Sequence, residues 1–319
     1  SGGLNRFDKN TEQFTSFKYD FSNPNSLSNN RVEYIFEDAS HILWIGTRGG
    51  GLNKLDLKPK KFNTIDYIPD NKDELPNPNI FAITSDSKNN FWIGTDGDGL
   101  VRYNKSENSF LQFNTSNSNL TSDRIWSLLI DNSGNIWAGT YQGGITIFRF
   151  EKNKYNSFFI DITSGSESTL DGKTINVLYQ LNDGKILAGT KNNLIVIDSI
   201  DNKLNITKHL KNFNINAIIQ DYNENIWIGT TVGLYLFDKN MKQISVFKNN
   251  PEDSTSISSN EIFTFFIDSQ SNLWIGTKGG GLNLYDKSTN KFIHYFENDG
   301  LANNVVTAIE QDNSGNLWI

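Results

Sequence analysis

The stretch Asp268-Ser-Gln-Ser-Asn-Leu-Trp274-Ile-Gly-Thr277-Lys-Gly-Gly-Gly281-Leu-Asn283 recurs along this chain in weaker copies, and that recurrence decides the fold. Its centre, Trp-Ile-Gly-Thr or a one- or two-residue variant, starts at Trp44, Trp92, Trp137, Leu187, Trp227 and Trp274, with a further copy opening at Trp318. The steps are 48, 45, 50, 40, 47 and 44 residues. A fixed period of this size marks a repeat architecture. Four strands of about 5 to 6 residues with their turns use up that length, so each period reads as one four-stranded antiparallel sheet.

The repeat around Trp44 shows the content. An apolar strand runs from Val32 to Phe36, a turn from Asp38 to His41 and a second strand from Ile42 to Thr47. A glycine turn leads to a third strand from Leu52 to Leu57 and a fourth near Phe62 to Tyr67. Helical periodicity is absent, because the apolar runs are short, β-branched or aromatic, and bounded by Asn, Asp, Gly and Ser. The chain therefore reads as an all-β propeller of four-stranded antiparallel blades. It opens with Gly2-Gly3-Leu4-Asn5, which matches Gly50-Gly51-Leu52-Asn53, and it stops at Ile319, which matches Ile45. Six whole blades and one split between the N- and C-termini make seven, and pairing the two end segments closes the ring without a long exposed edge. The expectation is a single seven-bladed β-propeller over residues 1–319, part of a longer multidomain polypeptide.

Composition narrows the function classes. All-β rings run past about 250 residues as one domain, so length alone does not demand a second. With no cysteine among 319 residues, disulfides, thiolate catalysis and cysteine-ligated zinc are excluded. A net charge of −7 without a Lys/Arg run argues against nucleic acid and against an anionic membrane surface as partners. No stretch reaches the roughly 18 apolar residues of a membrane span. Sequons begin at Asn104, Asn114, Asn119 and Asn205, as expected by chance in so Asn-rich a chain.

The shared positions read as scaffold. Tryptophan on the second strand fills the gap between diverging blades, and only Leu187 replaces it there. Asp38, Asp86, Asp131, Asp221, Asp268 and Asp312 each stand six residues before the motif, where an aspartate bonds the backbone N–H groups of its own turn. A calcium loop is the alternative, but it needs several convergent oxygens and a distal Glu. The glycines at 49–51, 97, 99 and 279–281 supply positive φ for a hairpin rather than a phosphate cradle, since no helix follows. No metal site and no cofactor are expected.

Positions that differ among copies are where specific contacts can be placed. The first set opens each inner strand: Arg31, Asn79, Arg124, Thr174, Asn214, Glu261 and Val305. The second lies two residues on: Glu33, Phe81, Trp126, Asn176, Asn216, Phe263 and Thr307. The third follows Gly-Thr: Arg48, Asp96, Tyr141, Lys191, Thr231 and Lys278. All three belong at one end of the sheets. Trp126, the tryptophan outside the motif, with Arg124 and Tyr141 offers an aromatic platform beside a cation, suited to a sugar ring. Phe81, Asp96, Arg31, Glu33, Arg48, Phe263 and Lys278 complete the candidate ligand-binding set; the alternative is that Trp126, Phe81 and Phe263 wedge between blades.

The pattern of apolar first strand, Asp turn, Leu-Trp-Ile-Gly-Thr and Gly-Gly-Gly-Leu resembles the two-component regulator propeller repeat, over essentially the whole chain. Blade four departs most, with Leu-Ala-Gly-Thr and no Gly-rich turn. The resemblance implies the extracytoplasmic sensor half of a hybrid histidine kinase, on the periplasmic or extracellular side of a membrane-anchored bacterial sensor. It also implies neighbours in the same polypeptide: a second propeller, a β-sandwich, a membrane span and kinase modules. Many family members report oligosaccharides, so the implied ligand is an oligosaccharide or another small molecule, with a homodimer as a further arrangement. A pure interaction scaffold and a propeller enzyme are the competing readings. Sialidase Asp boxes place Asp five residues before Trp, against six here. Streptogramin lyase propellers need a catalytic His, and this chain has only His41, His209 and His294.

Overall fold

The β-branched and aromatic runs that alternate with Asn, Asp and Gly in the sequence become strands in a computed structural model of the chain. It describes all residues except 1, 10–11, 24, 40–41, 57–63, 66, 68–73, 163–172 and 201–202. The chain divides into two compact units, Ser1–Thr64 and Ile65–Ile319. In the first, Leu4–Asp8 pairs with Gln13–Phe17, and Val32–Glu37, Ile42–Thr47 and Gly51–Asp56 form a three-stranded sheet, blade one. Phe62, expected in its fourth strand, lies outside the described residues. Tyr67 belongs to the second unit, where it bridges Leu75.

The second unit holds five four-stranded antiparallel meanders. Their first strands are Ile80–Ser85, Ile125–Ile130, Ile175–Gln180, Ile215–Gln220 and Ile262–Ile267, in blades two to six. A two-stranded sheet, Glu310–Gln311 with Leu317–Trp318, follows. The strand complement, one three-stranded, five four-stranded and two terminal two-stranded sheets, is that of a seven-bladed β-propeller. Among the described residues the helical content is limited to 3-10 conformation, at Lys173 and over the turn Glu297–Asp299.

Each letter of the repeat has a contact that explains it. The aspartate turns are as expected: Asp131 Oδ1 accepts the backbone N–H groups of Ser133 and Asn135, both at 2.9 Å. Its Oδ2 does something the sequence did not disclose, accepting the indole N–H of Trp137 at 2.8 Å. The same bond joins Asp38 to Trp44, Asp86 to Trp92, Asp221 to Trp227, Asp268 to Trp274 and Asp312 to Trp318, at 2.8–3.2 Å. Trp92, Trp137 and Trp227 are buried, Trp44 and Trp274 half-buried, and Trp318 exposed. Blade four lacks both partners together. Leu181 replaces the carboxylate and Leu187 the indole, and both are buried in the same apolar cluster as Ile215 and Ile226 of blade five.

The motif glycine permits a close approach between blades. A Cβ on Gly139 would stand 2.6 Å from Ile175 Cγ2, and one on Gly229 equally near Ile262 Cγ2, so the next blade's first strand packs onto bare backbone. The threonine after it is buried and its hydroxyl donates to the carbonyl across the following turn, as from Thr140 to Gly144 at 3.0 Å. Apolar clusters fill the joints, Trp137, Ile145 and Ile147 of blade three meeting Ile175, Leu178 and Ile186 of blade four. Glutamines stitch the aspartate-turn end: Gln180 Oε1 accepts from Asn132 N, and Gln220 Oε1 from Asn182 N, both at 2.8 Å.

Three expected outcomes follow from this packing. Trp137→Ala should destabilise the chain by about 3 to 5 kcal/mol in denaturant unfolding, as for other large core truncations. Leu187→Trp should be destabilising because its buried indole N–H finds no acceptor, and adding Leu181→Asp should recover stability, measured as melting temperatures of the single and double variants.

The third concerns acid. Burial pushes the Asp268 carboxyl up, but hydrogen bonds from the Trp274 indole, the Asn272 side chain and turn N–H groups outweigh it and leave the group below its ordinary value. Asp312 is drawn down to about 2 by the Asn316 side chain and the Trp318 indole. A depressed carboxyl contributes stability that is whole above its unfolded value of about 3.9 and lost as pH falls through the folded value. The melting temperature should therefore drop between about pH 4 and about pH 2. Asp268→Asn, destabilising at neutral pH, should converge on the parent chain at the acid end of that range.

Candidate functional site

One register irregularity recurs in blades one to six. The ladder between first and second strand skips a residue between Val32 and Tyr34, Ile80 and Ala82, Ile125 and Ser127, Ile175 and Val177, Ile215 and Ala217, and Ile262 and Thr264. The skipped residues are Glu33, Phe81, Trp126, Asn176, Asn216 and Phe263, the second variable set of the sequence. A β-bulge frees a residue from the ladder and re-aims its side chain. Sequence reasoning marked these positions as variable without finding the bulge; the signal was a changing residue between a fixed apolar residue and the rest of the strand.

The first and third sets meet directly beside the bulge. Tyr141 N donates to Arg124 O at 2.9 Å, Asp96 N to Asn79 O at 3.1 Å, and Lys278 N to Glu261 O at 2.9 Å. In the first unit Arg48 N donates to Arg31 O at 2.9 Å, and Arg31 Nε binds Glu33 Oε1 at 2.8 Å.

Blades two to four bring six of these side chains together. The Phe81 and Trp126 rings lie 6.0 Å apart, and Trp126 and Tyr141 4.7 Å, measured between centroids. The Arg124 guanidinium sits 4.3 Å from the Tyr141 centroid and forms an ion pair with Asp96, while Lys191 Nζ approaches the same ring at 5.5 Å. The bond to Asp96 holds the Arg124 pKa above its ordinary value. Tyr141 is thus flanked by Trp126 and two cations, so the ring best placed for stacking is Phe81, which is 53% exposed. Trp126 is half-buried, and its Nε1 is a buried donor with no acceptor.

Elsewhere the bulge residues act as ties. Asn176 Nδ2 donates to Ile215 O and Asn216 Nδ2 to Ile262 O, each at 2.9 Å, so amides at this position satisfy the next blade's backbone. Phe263 is half-buried in blade six, where Lys278 pairs with Glu261 at 3.0 Å. His41 lies outside the described residues, His209 Nε2 is 3.3 Å from Thr207 Oγ1, and His294 Nε2 is 2.7 Å from Ser256 O. Among the described residues no group of three or more His, Cys, Asp or Glu is placed to hold a metal, and no helix is long and apolar enough to cross a membrane.

Comparison with known proteins agrees with the repeat. The family model described as "Two component regulator propeller" matches residues 26–49, 74–97, 119–142, 210–231, 256–279 and 300–319, leaving the central motif of blade four unmatched. A search of the curated proteins finds no match. Among solved structures, the extracellular domain assigned to a hybrid two component system of B. thetaiotaomicron is 27% identical with a TM-score of 0.76. That match covers 100% of this chain and 46% of the other, so the chain spans about half the length of that relative. PorZ, a surface component of the type-IX secretion system of Porphyromonas gingivalis, is 18% identical over 79% of this chain and 38% of its own, with a TM-score of 0.50. Virginiamycin B lyase from Staphylococcus aureus is 12% identical over 83% and 84%, with a TM-score of 0.51. These last two likenesses are of fold alone. The repeats and their spacing agree with the six family-model matches, so this chain carries two-component regulator propeller repeats.

Proposed function

We propose that this chain is a ligand-sensing propeller of a two-component regulatory system, acting on the periplasmic or extracellular side of a bacterial membrane and performing no chemistry itself. Residues 1–319 serve as one seven-bladed domain of a longer sensor, whose other domains are its partners. The ligand is an oligosaccharide, bound where blades two, three and four present Phe81, Trp126, Tyr141, Arg124, Asp96 and Lys191. The observation that carries this is the Phe81–Trp126–Tyr141 row with cations beside it, Phe81 and Trp126 standing where a bulge has released them from the ladder. Pyranose rings offer a C–H face to aromatics and hydroxyls to polar neighbours, and this row supplies both.

The likeness to a two-component extracellular domain supports the sensing role, and the likeness to a lyase extends to the fold alone. Signalling on this reading is differential: the ligand favours one arrangement of the sensor, and only its difference in affinity between arrangements is transmitted.

Calorimetric titration of the 319-residue chain with a panel of oligosaccharides tests the reading. Binding of one member should weaken by about tenfold or more in Trp126→Ala, with circular dichroism and melting temperature retained. An unchanged affinity in that variant removes the site, and release of reducing ends from a polysaccharide would overturn the non-catalytic reading.

A further inference from the structure

The charges that face each other across the joint between blades two and three cancel. Arg124 Nε pairs with Asp96 Oδ1, and the guanidinium lies 4.3 Å from the centre of the Tyr141 ring. Lys191, 5.5 Å from the same ring, is likewise engaged. At the corresponding positions of the next two joints stand Tyr141 with Thr174 and Lys191 with Asn214, so those joints carry no such pair. The aromatic row spans the paired joint, with Phe81 on blade two and Trp126 on blade three. Asp96 is held there by backbone and not by its charge. Its N–H donates to Asn79 O at 3.1 Å, and an isolated β-bridge joins it to Arg124. The N–H groups of Gly97 and Gly99 in the same turn both donate to Asp123 O, at 3.1 and 2.8 Å. The turn therefore fixes a carboxylate beside the guanidinium, and an amide at residue 96 would keep the same place.

That placement decides what the site can take. A sugar carboxylate set against Arg124 would stand beside Asp96 as well, where like charges repel, in a chain whose net charge is −7. A neutral pyranose meets no such repulsion. Its hydroxyls donate as well as accept, and a guanidinium beside a carboxylate offers donors and acceptors together. Its C–H face has Phe81, the more exposed ring of the row. Selectivity of this kind rests on a group that rejects the wrong ligand as much as on contacts to the right one.

Resting on the glycan-binding reading above, we propose that the sugar recognised here is uncharged and that Asp96 is the specificity-determining residue. By pairing with Arg124 it withholds a cation that would otherwise attract acidic sugars to the same row.

The test uses enzymatic digests of galactan and mannan as neutral probes and of polygalacturonate and alginate as carboxylate probes. Each is titrated by calorimetry into the 319-residue chain, Asp96→Asn, Asp96→Ser, Asp96→Asn combined with Arg124→Gln, and Trp126→Ala. The parent chain should bind a neutral digest at least about tenfold more tightly than either acidic one, with an affinity that holds between low and high salt. Asp96→Asn should gain about tenfold or more for an acidic digest, a gain that falls with added salt and vanishes when Arg124→Gln is added. Its melting temperature should stay, because a solvent-screened pair contributes little to stability. Should Asp96→Asn fail to fold, Asp96→Ser reads the same gain. A parent chain that binds an acidic digest as tightly as a neutral one, or an Asp96 variant that gains nothing while a neutral digest binds the parent, overturns the role of Asp96 and leaves the glycan site standing. Absence of binding of every digest to the parent chain, or binding indifferent to Trp126→Ala, overturns both.

Discussion

An indole can fill the space between two diverging sheets only if its N–H has an acceptor there, and in this chain that acceptor is a turn carboxylate six residues upstream. The hairpin folds the Asp back beside the Trp, so one side chain performs two tasks. Its Oδ1 closes the turn between first and second strands, and its Oδ2 fixes the ring that packs against the neighbouring blade. Local turn chemistry and long-range blade packing are thereby coupled through a single charge. The glycine two positions after the Trp completes the arrangement by letting the next blade's isoleucine rest on backbone, and the buried threonine beside it closes the turn that follows.

Blade four shows that the pair is one physical unit. Keeping Asp without Trp would bury a carboxylate short of a partner, and keeping Trp without Asp would bury an orphan N–H. The chain has leucine at both positions instead, and the two leucines join the apolar cluster with blade five. The bond is therefore dispensable only when both of its ends are dispensed with. A repeat can lose its most recognisable residue and keep its place in the fold, which is why the family model passes over the motif of blade four while its four strands are in register.

Much of this was legible in the sequence, and the remainder was hidden for definable reasons. Period, strand content and the turn role of the aspartates follow from local composition. The indole bond was not visible because it depends on how an antiparallel hairpin brings residues 131 and 137 side by side. Trp126 packs against rings of blades two and three and is half-buried, as its reading as a wedge between blades has it, and its Nε1 is buried without a partner. Asn176 and Asn216 show why polarity at the equivalent positions misleads, since their amides bond the adjoining blade's carbonyls instead of solvent. Tyr141 reads from sequence as part of an aromatic platform, but Arg124 and Lys191 draw up to its ring, and Phe81 is the more exposed ring of the row.

The bulge explains how one scaffold can carry changing contacts. In a regular ladder every side chain on the first strand is committed to a blade face by the two-residue period, so a large substitution there would disturb a core. Skipping one residue removes that commitment at one position per blade and keeps the fixed apolar residues on either side in register. Glu, Phe, Trp and Asn all occupy it within this chain without altering the pairing around them. Constant and changing positions are thus separated by a backbone device rather than by a loop. The residues next to the bulge are joined by a backbone hydrogen bond from the second strand's end to the first strand's start, so what they present is held as firmly as the sheet itself.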